Sequence, residues 1–179
     1  MTFATHVLFA LRKDRCNVVL MSACIAAVAY LQACSGRQES SYTTLDDAIK
    51  AGEITRGWLP DYLPRSSRAI RIIYDPSSPR TWCVFEFSPA DSQGLTKNLT
   101  SVSVLPERVK HLDDPGLPWW PRFLKGDIDV AKVHEAGFDA YVAEEPDIQS
   151  SNDVVLFAIR WADGRGFFYR TPAGSRTTR

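Results

Sequence analysis

The sequence predicts a single α+β domain, with an antiparallel sheet of about five strands and one or two short helices on one face. Segments of alternating apolar and polar residues recur along the chain, a capped helix signal precedes them, and two pairs of these segments are joined by short turns. The 179 residues suffice for one core. We expect an export segment over residues 1–33, a disordered tether of small polar residues over 34–42, the globular domain over 43–172, and a disordered tail over 173–179.

The N-terminal segment has the order of features found in a secretory signal. Arg12, Lys13 and Arg15 form a basic cluster, an apolar run follows over residues 18–31, and small or neutral residues precede Cys34. The apolar run is shorter than the roughly 20 residues that a transmembrane helix needs. We therefore interpret the segment as a cleaved signal, with a permanent transmembrane anchor as the weaker alternative.

Leu31, Gln32, Ala33 and Cys34 have the pattern of a lipobox, and the whole segment resembles that of bacterial prolipoproteins. The resemblance implies that diacylglycerol is joined to Cys34 through a thioether and that the chain is cleaved after Ala33. It also implies that the new amino terminus is commonly acylated. Two or more acyl chains hold a protein stably at a membrane. By the same resemblance, Ser35 favours the outer membrane if the host is Gram-negative.

The first half of the chain predicts a helix followed by a hairpin. Thr44 caps a helix of about two turns, with Asp47 as its capping-box partner and Gly52 as its stop. Residues 68–74 and 81–87 alternate between apolar and polar and are joined by a short turn rich in proline and serine. This pattern predicts a β-hairpin.

A run of glycine, tryptophan, leucine and proline begins at Gly57, and a second proline follows at Pro64. Two prolines four residues apart exclude a helix interior or a central strand, so we predict a packed turn. Together with the hairpin that follows, this stretch resembles a signature of small uncharacterised bacterial lipoproteins. The resemblance implies that class of protein and no particular activity.

The middle of the chain is less regular. Residues 88–105 fit either a helix opened by Pro89 or a strand around Val102. Residues 106–129 are interrupted by prolines and charged residues, and we expect them to form a long excursion over the surface.

The C-terminal part predicts three strands, over residues 138–143, 154–161 and 166–171. Asp163 and Gly164 supply a tight turn between the last two. The second of these strands is apolar on both faces, which places it in the interior of the sheet.

Cys83 is the only cysteine of the predicted globular domain, and His111 or His134 could activate it as a nucleophile. Its position in phase with Phe85 and Phe87 indicates instead that its side chain points into the core. A buried free cysteine behaves as a small apolar residue.

Two acidic groups are further candidates for a site. His111, Asp113 and Asp114 lie close together, but zinc sites usually include several histidines or cysteines, so we favour a solvated acidic loop and expect no metal or cofactor. Glu144 and Glu145 are adjacent, so on a strand they point to opposite faces and cannot flank one glycosidic bond. We expect them to form a solvated turn.

Trp119 and Trp120, between Pro118 and Pro121, are the best candidates for binding. Such a pair can stack on sugar rings or anchor a protein interface because it supplies large, rigid contact area. Alternatively, it forms a hydrophobic plug that holds a long loop against the sheet. The plug is the interpretation we favour.

The chain has 21 basic and 21 acidic residues, which argues against nucleic acid as a partner. It contains no phosphate-binding loop and no serine-nucleophile motif. We therefore predict a membrane-tethered, exported lipoprotein that acts as a binding module in the cell envelope, with a protein partner first and a glycan second. The alternatives are an immunity or inhibitor lipoprotein against an envelope-directed toxin, and an envelope hydrolase.

Overall fold

The computed structural model describes residues 36–77, 80–146 and 152–171. The chain divides into two compact units, and the folded domain described below belongs to the second, Arg37–Arg179. The predicted signal peptide over residues 1–33, with Cys34, and the predicted tail over 173–179 lie outside the described residues.

Among the described residues, seven strands form one antiparallel sheet and two short strands form another. The strands are β1 (Gln38–Thr44), β2 (Arg68–Asp75), β3 (Arg80–Glu86), β4 (Thr100–Ser101), β5 (His111–Leu112), β6 (Gly126–Asp127), β7 (Asp139–Pro146), β8 (Asn152–Arg160) and β9 (Arg165–Thr171). The larger sheet has the order β1-β2-β3-β9-β8-β7-β4, and in the smaller sheet β5 pairs with β6. The antiparallel α+β class is confirmed, whereas the expected five strands are too few.

The first additional strand is β1, which occupies most of the segment expected to be a disordered tether over residues 34–42. It pairs with β2 from Gln38 opposite Tyr74 to Thr44 opposite Arg68. The strand is largely exposed, so it needs few apolar residues and its sequence looks like a linker. The tether prediction is therefore wrong from Gln38 onward.

The predicted first helix is α1 (Leu45–Lys50), and its capping box is confirmed. The Asp47 backbone N–H donates to Thr44 Oγ1 at 3.3 Å, and the Thr44 N–H donates to Asp47 Oδ2 at 3.2 Å. Gly52 follows with φ +84°, in the left-handed region where glycine is favoured. Leu45 on the inner side of the helix is buried.

Both faces of the large sheet are covered, because its central strands are apolar on both sides. The face that α1 covers, here called the α1 face, carries Cys83, Phe85 and Phe168 and is also covered by residues 54–63. The opposite face carries alternate residues of the same strands, such as Trp82 and Phe167. Since α3 (Val130–Glu135) packs there through Val133, we call it the α3 face. The expectation of helices on one face only is therefore wrong.

Residues 106–129 provide much of the cover on the α3 face, contrary to the predicted surface excursion. Several of their apolar side chains are buried, including Val109, Leu112 and Leu124, and others are partly buried against the same core. Prolines divide the segment into short pieces, and β5 and β6 pair near its two ends. Breaks in regular structure therefore do not keep this segment away from the core.

The ambiguous residues 88–105 contain both kinds of element. A 3-10 turn at Pro89–Asp91 precedes α2 (Gln93–Asn98), and β4 follows directly. Leu95 of α2 is buried on the α1 face, and the helix begins at Gln93, after the 3-10 turn that contains Pro89.

The C-terminal strands agree with the prediction, and β8 lies in the interior of the sheet between β9 and β7. Glu144 and Glu145 lie within β7, opposite Val154 and Asp153, so the predicted solvated turn there is wrong. The ladder of β7 and β8 continues to Pro146, beyond the apolar residues that marked the strand in the sequence.

The turn between β8 and β9 requires glycine at position 164. Gly164 has φ +65°, and its carbonyl oxygen accepts the Phe87 N–H at 2.7 Å. A Cβ at this position would lie 1.9 Å from the Phe87 carbonyl oxygen, which is backbone and cannot rotate away. Position 164 therefore combines a conformational requirement with a steric one.

We predict that Gly164→Ala lowers the free energy of unfolding by at least about 3 kcal/mol, because left-handed backbone and overpacking both oppose it. Gly116→Ala is the matched control, since Gly116 has φ +71° but a Cβ added there would have no atom within 4 Å. Gly116→Ala should lower the free energy of unfolding by only about 1 to 2 kcal/mol. Equal costs in chemical denaturation would contradict the steric argument.

Candidate functional site

Trp119 and Trp120 occupy different environments. Trp120 is 3% exposed, and its indole Nε1 donates to the Leu124 carbonyl oxygen at 2.8 Å. Its ring meets Phe167 of the sheet edge-on, with centroids 5.8 Å apart. Trp120 is therefore a plug of the α3 face. Trp119 packs against Trp120 and is half-buried, so it retains some exposed surface.

The histidine and carboxylates that the sequence suggested as metal ligands pair with separate partners. His111 Nδ1 lies 2.8 Å from Asp127 Oδ1, Asp113 pairs with Arg80, and Asp114 pairs with Lys125. A hydrogen bond from the Gly116 N–H and the pairing with Lys125 lower the pKa of Asp114. In the part of the chain that the structure describes, no group of three potential ligands could hold a metal ion.

Cys83 is fully buried, as predicted. Burial raises the pKa of its thiol well above the usual value, and the negative charge of Glu53 raises the pKa further. Since the thiolate is the nucleophilic form, this cysteine is inert near neutral pH.

A cluster that the sequence did not predict lies on the α1 face, around a buried carboxylate. Glu53 is 1% exposed, and its Oε1 accepts hydrogen bonds from the Tyr42 hydroxyl and from Arg56 Nη1. Arg56 Nη1 lies 3.1 Å from Glu53 Oε1. Burial raises the pKa of the Tyr42 phenol, and its hydrogen bond to Glu53 raises the pKa further. We call Tyr42, Glu53, Arg56, Trp58 and Tyr74 the Glu53 cluster.

The turn after α1 holds Glu53 in place through its backbone. The Glu53 N–H donates to the Ala48 carbonyl oxygen at 3.1 Å, and the Glu53 carbonyl oxygen accepts the N–H groups of Trp58 and Leu59. Gly57, with φ +73°, allows the chain to reverse at this point. The turn predicted from the glycine, tryptophan and proline run therefore positions a carboxylate that precedes the run.

The outer part of the cluster is a stack of an arginine and two aromatic rings. Trp58 and Tyr74 are stacked with centroids 4.3 Å apart and planes 19° apart, and the Arg56 guanidinium lies 5.1 Å from the centre of the Trp58 ring. Tyr74 and Arg56 therefore both pack on the Trp58 indole. The Arg56 side chain is 49% exposed and is fixed by both Glu53 and Trp58.

The C-terminal strand borders this cluster through Arg170. Arg170 is 8% exposed, and its Nη1 lies 3.7 Å from the position that a Cβ at Gly57 would occupy. The side chain therefore reaches the turn that carries Arg56 and Trp58.

A guanidinium held in one orientation at a surface is suited to recognising an anionic group. Its planar donors match a carboxylate or a phosphate, and prior fixation reduces the side-chain entropy lost on binding. Tryptophan, tyrosine and arginine are also the residues that contribute most often to the binding energy of protein interfaces. The Glu53 cluster thus has the composition of a recognition surface.

The fold and this cluster together define an α+β protein with an aromatic and arginine surface beside an edge strand. Residues 36–86 match the family model of the YbbD head domain. The matched segment runs from the start of β1 to the end of β3, and it contains all five residues of the Glu53 cluster. Neither a curated protein nor a solved structure matches this sequence.

Sequence reasoning missed Glu53 and Tyr42 because nothing in their spacing links them. They lie 11 residues apart, one in an apparently unstructured segment and one after a helix stop. Trp58 was part of the predicted turn, and its neighbour Arg56 was the only hint that a charge accompanies the aromatic ring.

We predict that Trp120→Ala lowers the free energy of unfolding by about 3 to 5 kcal/mol, as expected for a large buried aromatic residue. Trp119→Ala should cost about 1 kcal/mol, because less apolar surface returns to water. Denaturant unfolding of the two variants checks this order. A loss for Trp119→Ala equal to or greater than that for Trp120→Ala would show that the assigned roles are reversed.

Proposed function

We propose that this protein is a membrane-tethered, exported lipoprotein whose folded domain acts as a binding module in the cell envelope. The observation that carries the proposal is the order of a basic cluster, a short apolar run and a lipobox ending at Cys34. Lipid on Cys34 would hold the domain at a bacterial membrane, on the periplasmic face of the outer membrane if the host is Gram-negative. Within the described residues, no helix is long and apolar enough to cross a membrane.

The position of β1 supports attachment close to the membrane. Three residues separate Cys34 from Gln38, where β1 begins. Even when fully extended, this connection spans at most about 14 Å. A domain anchored in this way would be held at the membrane surface, with little freedom to move away from it.

The Glu53 cluster is the surface that we assign to binding. Among the described residues, the exposed large hydrophobic side chains are Ile49, on α1, and Val104, in the loop after β4, so we assign recognition to the cluster and not to a broad apolar patch. The cluster instead offers Arg56 on an aromatic support. Because Tyr74 and Arg56 already pack on the Trp58 ring, stacking on a sugar is disfavoured. A protein partner with an acidic group fits this surface better than a glycan.

We expect Cys34→Ser to abolish incorporation of labelled palmitate and cleavage of the signal, because serine cannot form the thioether. Cys24→Ser is the matched control, since it changes a cysteine of the same apolar run. The control should be labelled and processed normally. Palmitate label that persists in Cys34→Ser would rule out the proposed anchor.

Binding through the cluster can be tested with a photo-crosslinking amino acid at Thr55, an exposed position next to Arg56. In intact cells we expect one envelope protein to be captured, and Arg56→Lys should reduce its yield about tenfold because lysine lacks the planar donor fork. Thr100, exposed on β4, is the matched control position. Equal capture from both positions, or capture insensitive to Arg56→Lys in a variant with unchanged melting temperature, would contradict this assignment.

A further inference from the structure

The two edges of the seven-stranded sheet differ. One edge is β4, which has only two residues. The other is β1, which has seven residues and is exposed along most of its length. Proteins usually protect such an edge with proline, lysine, a bulge or a short strand. Glu39 is the one charged residue of β1, and the strand contains no proline or lysine.

Hydrogen bonds at the end of β1 show which backbone groups face outward. The Leu45 N–H donates to the Ser67 carbonyl oxygen, next to β2, at 2.9 Å. The Thr44 N–H instead donates to the Asp47 side chain. In an antiparallel ladder, successive residues direct their N–H and carbonyl groups alternately toward the neighbouring strand and away from it. The N–H and carbonyl groups of Ser40 and Tyr42 therefore point away from β2, toward the open edge.

We propose that β1 pairs antiparallel with β1 of a second copy of this chain, joining the two sheets edge to edge. The register centred on the middle of β1 places Ser41 opposite Ser41 of the partner subunit. Ser40 then hydrogen-bonds with Tyr42 of the partner subunit through the backbone groups that face outward. Glu39 lies opposite Thr43 of the partner subunit, so no like charges meet.

A second copy is the occupant that the tether favours, an argument that rests on the proposed lipidation of Cys34. Lipid on Cys34 confines every copy to one membrane surface, with β1 at most about 14 Å of extended chain away. The open edges are therefore concentrated in one thin layer, which raises their effective concentration. The twofold relation also makes the same strand complementary to itself.

Disulfide trapping of the full-length protein in its native membrane tests the pairing. Ser41 and its counterpart would form a pair without ladder hydrogen bonds, with Cα atoms about 4.5 Å apart, which a disulfide can bridge. Under mild oxidation, Ser41→Cys should yield at least about ten times more linked dimer than Ser101→Cys, a serine on the β4 edge. The native Cys83 is buried and does not interfere.

The register has its own test. Glu39→Cys and Thr43→Cys, expressed together, should be linked to each other more than either is linked to itself. Dimer yields for Ser41→Cys and Ser101→Cys that are equal, or a Ser41→Cys chain linked to a different protein, would overturn the proposal. So would a Ser41→Cys protein that carries palmitate and remains unlinked. Palmitate label on the same samples reports the anchor separately. Because an unlipidated Cys34 is a free thiol in both variants, an excess of linked dimer for Ser41→Cys over Ser101→Cys, without label, would support the pairing while refuting the lipidation.

Discussion

The architecture follows from the need to cover both faces of three central strands. Successive side chains along β3, β9 and β8 point to opposite faces of the sheet, and they are buried on both faces. Trp82 and Cys83, which are neighbours on β3, are one example. A sheet of this kind is stable only when a layer packs on each side. The α1 region supplies one layer and residues 105–138 supply the other. The irregular middle of the chain is therefore a structural layer of the domain.

The features that the sequence predicted have short-range signals. The capping box of Thr44, the hairpin of β2 and β3, and the glycine turn at Gly164 each depend on residues close together in the chain. The burial of Cys83 followed from the twofold alternation of a strand. Each of these inferences needed only the residues within one element or one turn.

The features that it did not predict depend on distant parts of the chain. β1 is polar because it lies at an edge, and only its pairing with β2 identifies it as a strand. The Glu53 cluster joins β1, a turn and β2 through side chains whose spacing has no period. The buried position of Trp120 depends on Phe167, which lies in the distant strand β9. Such tertiary relations override local composition.

The position of β9 in the middle of the sheet determines when the domain can form. β9 is the last strand among the described residues, yet it joins β3 to β8, so the two halves of the sheet meet only when β9 is present. Contacts between such distant residues also slow folding. During synthesis the earlier strands therefore have no complete core to enter. For a polypeptide exported as we propose, the sheet could be completed only after β9 had crossed, which would restrict folding to the far side of the membrane.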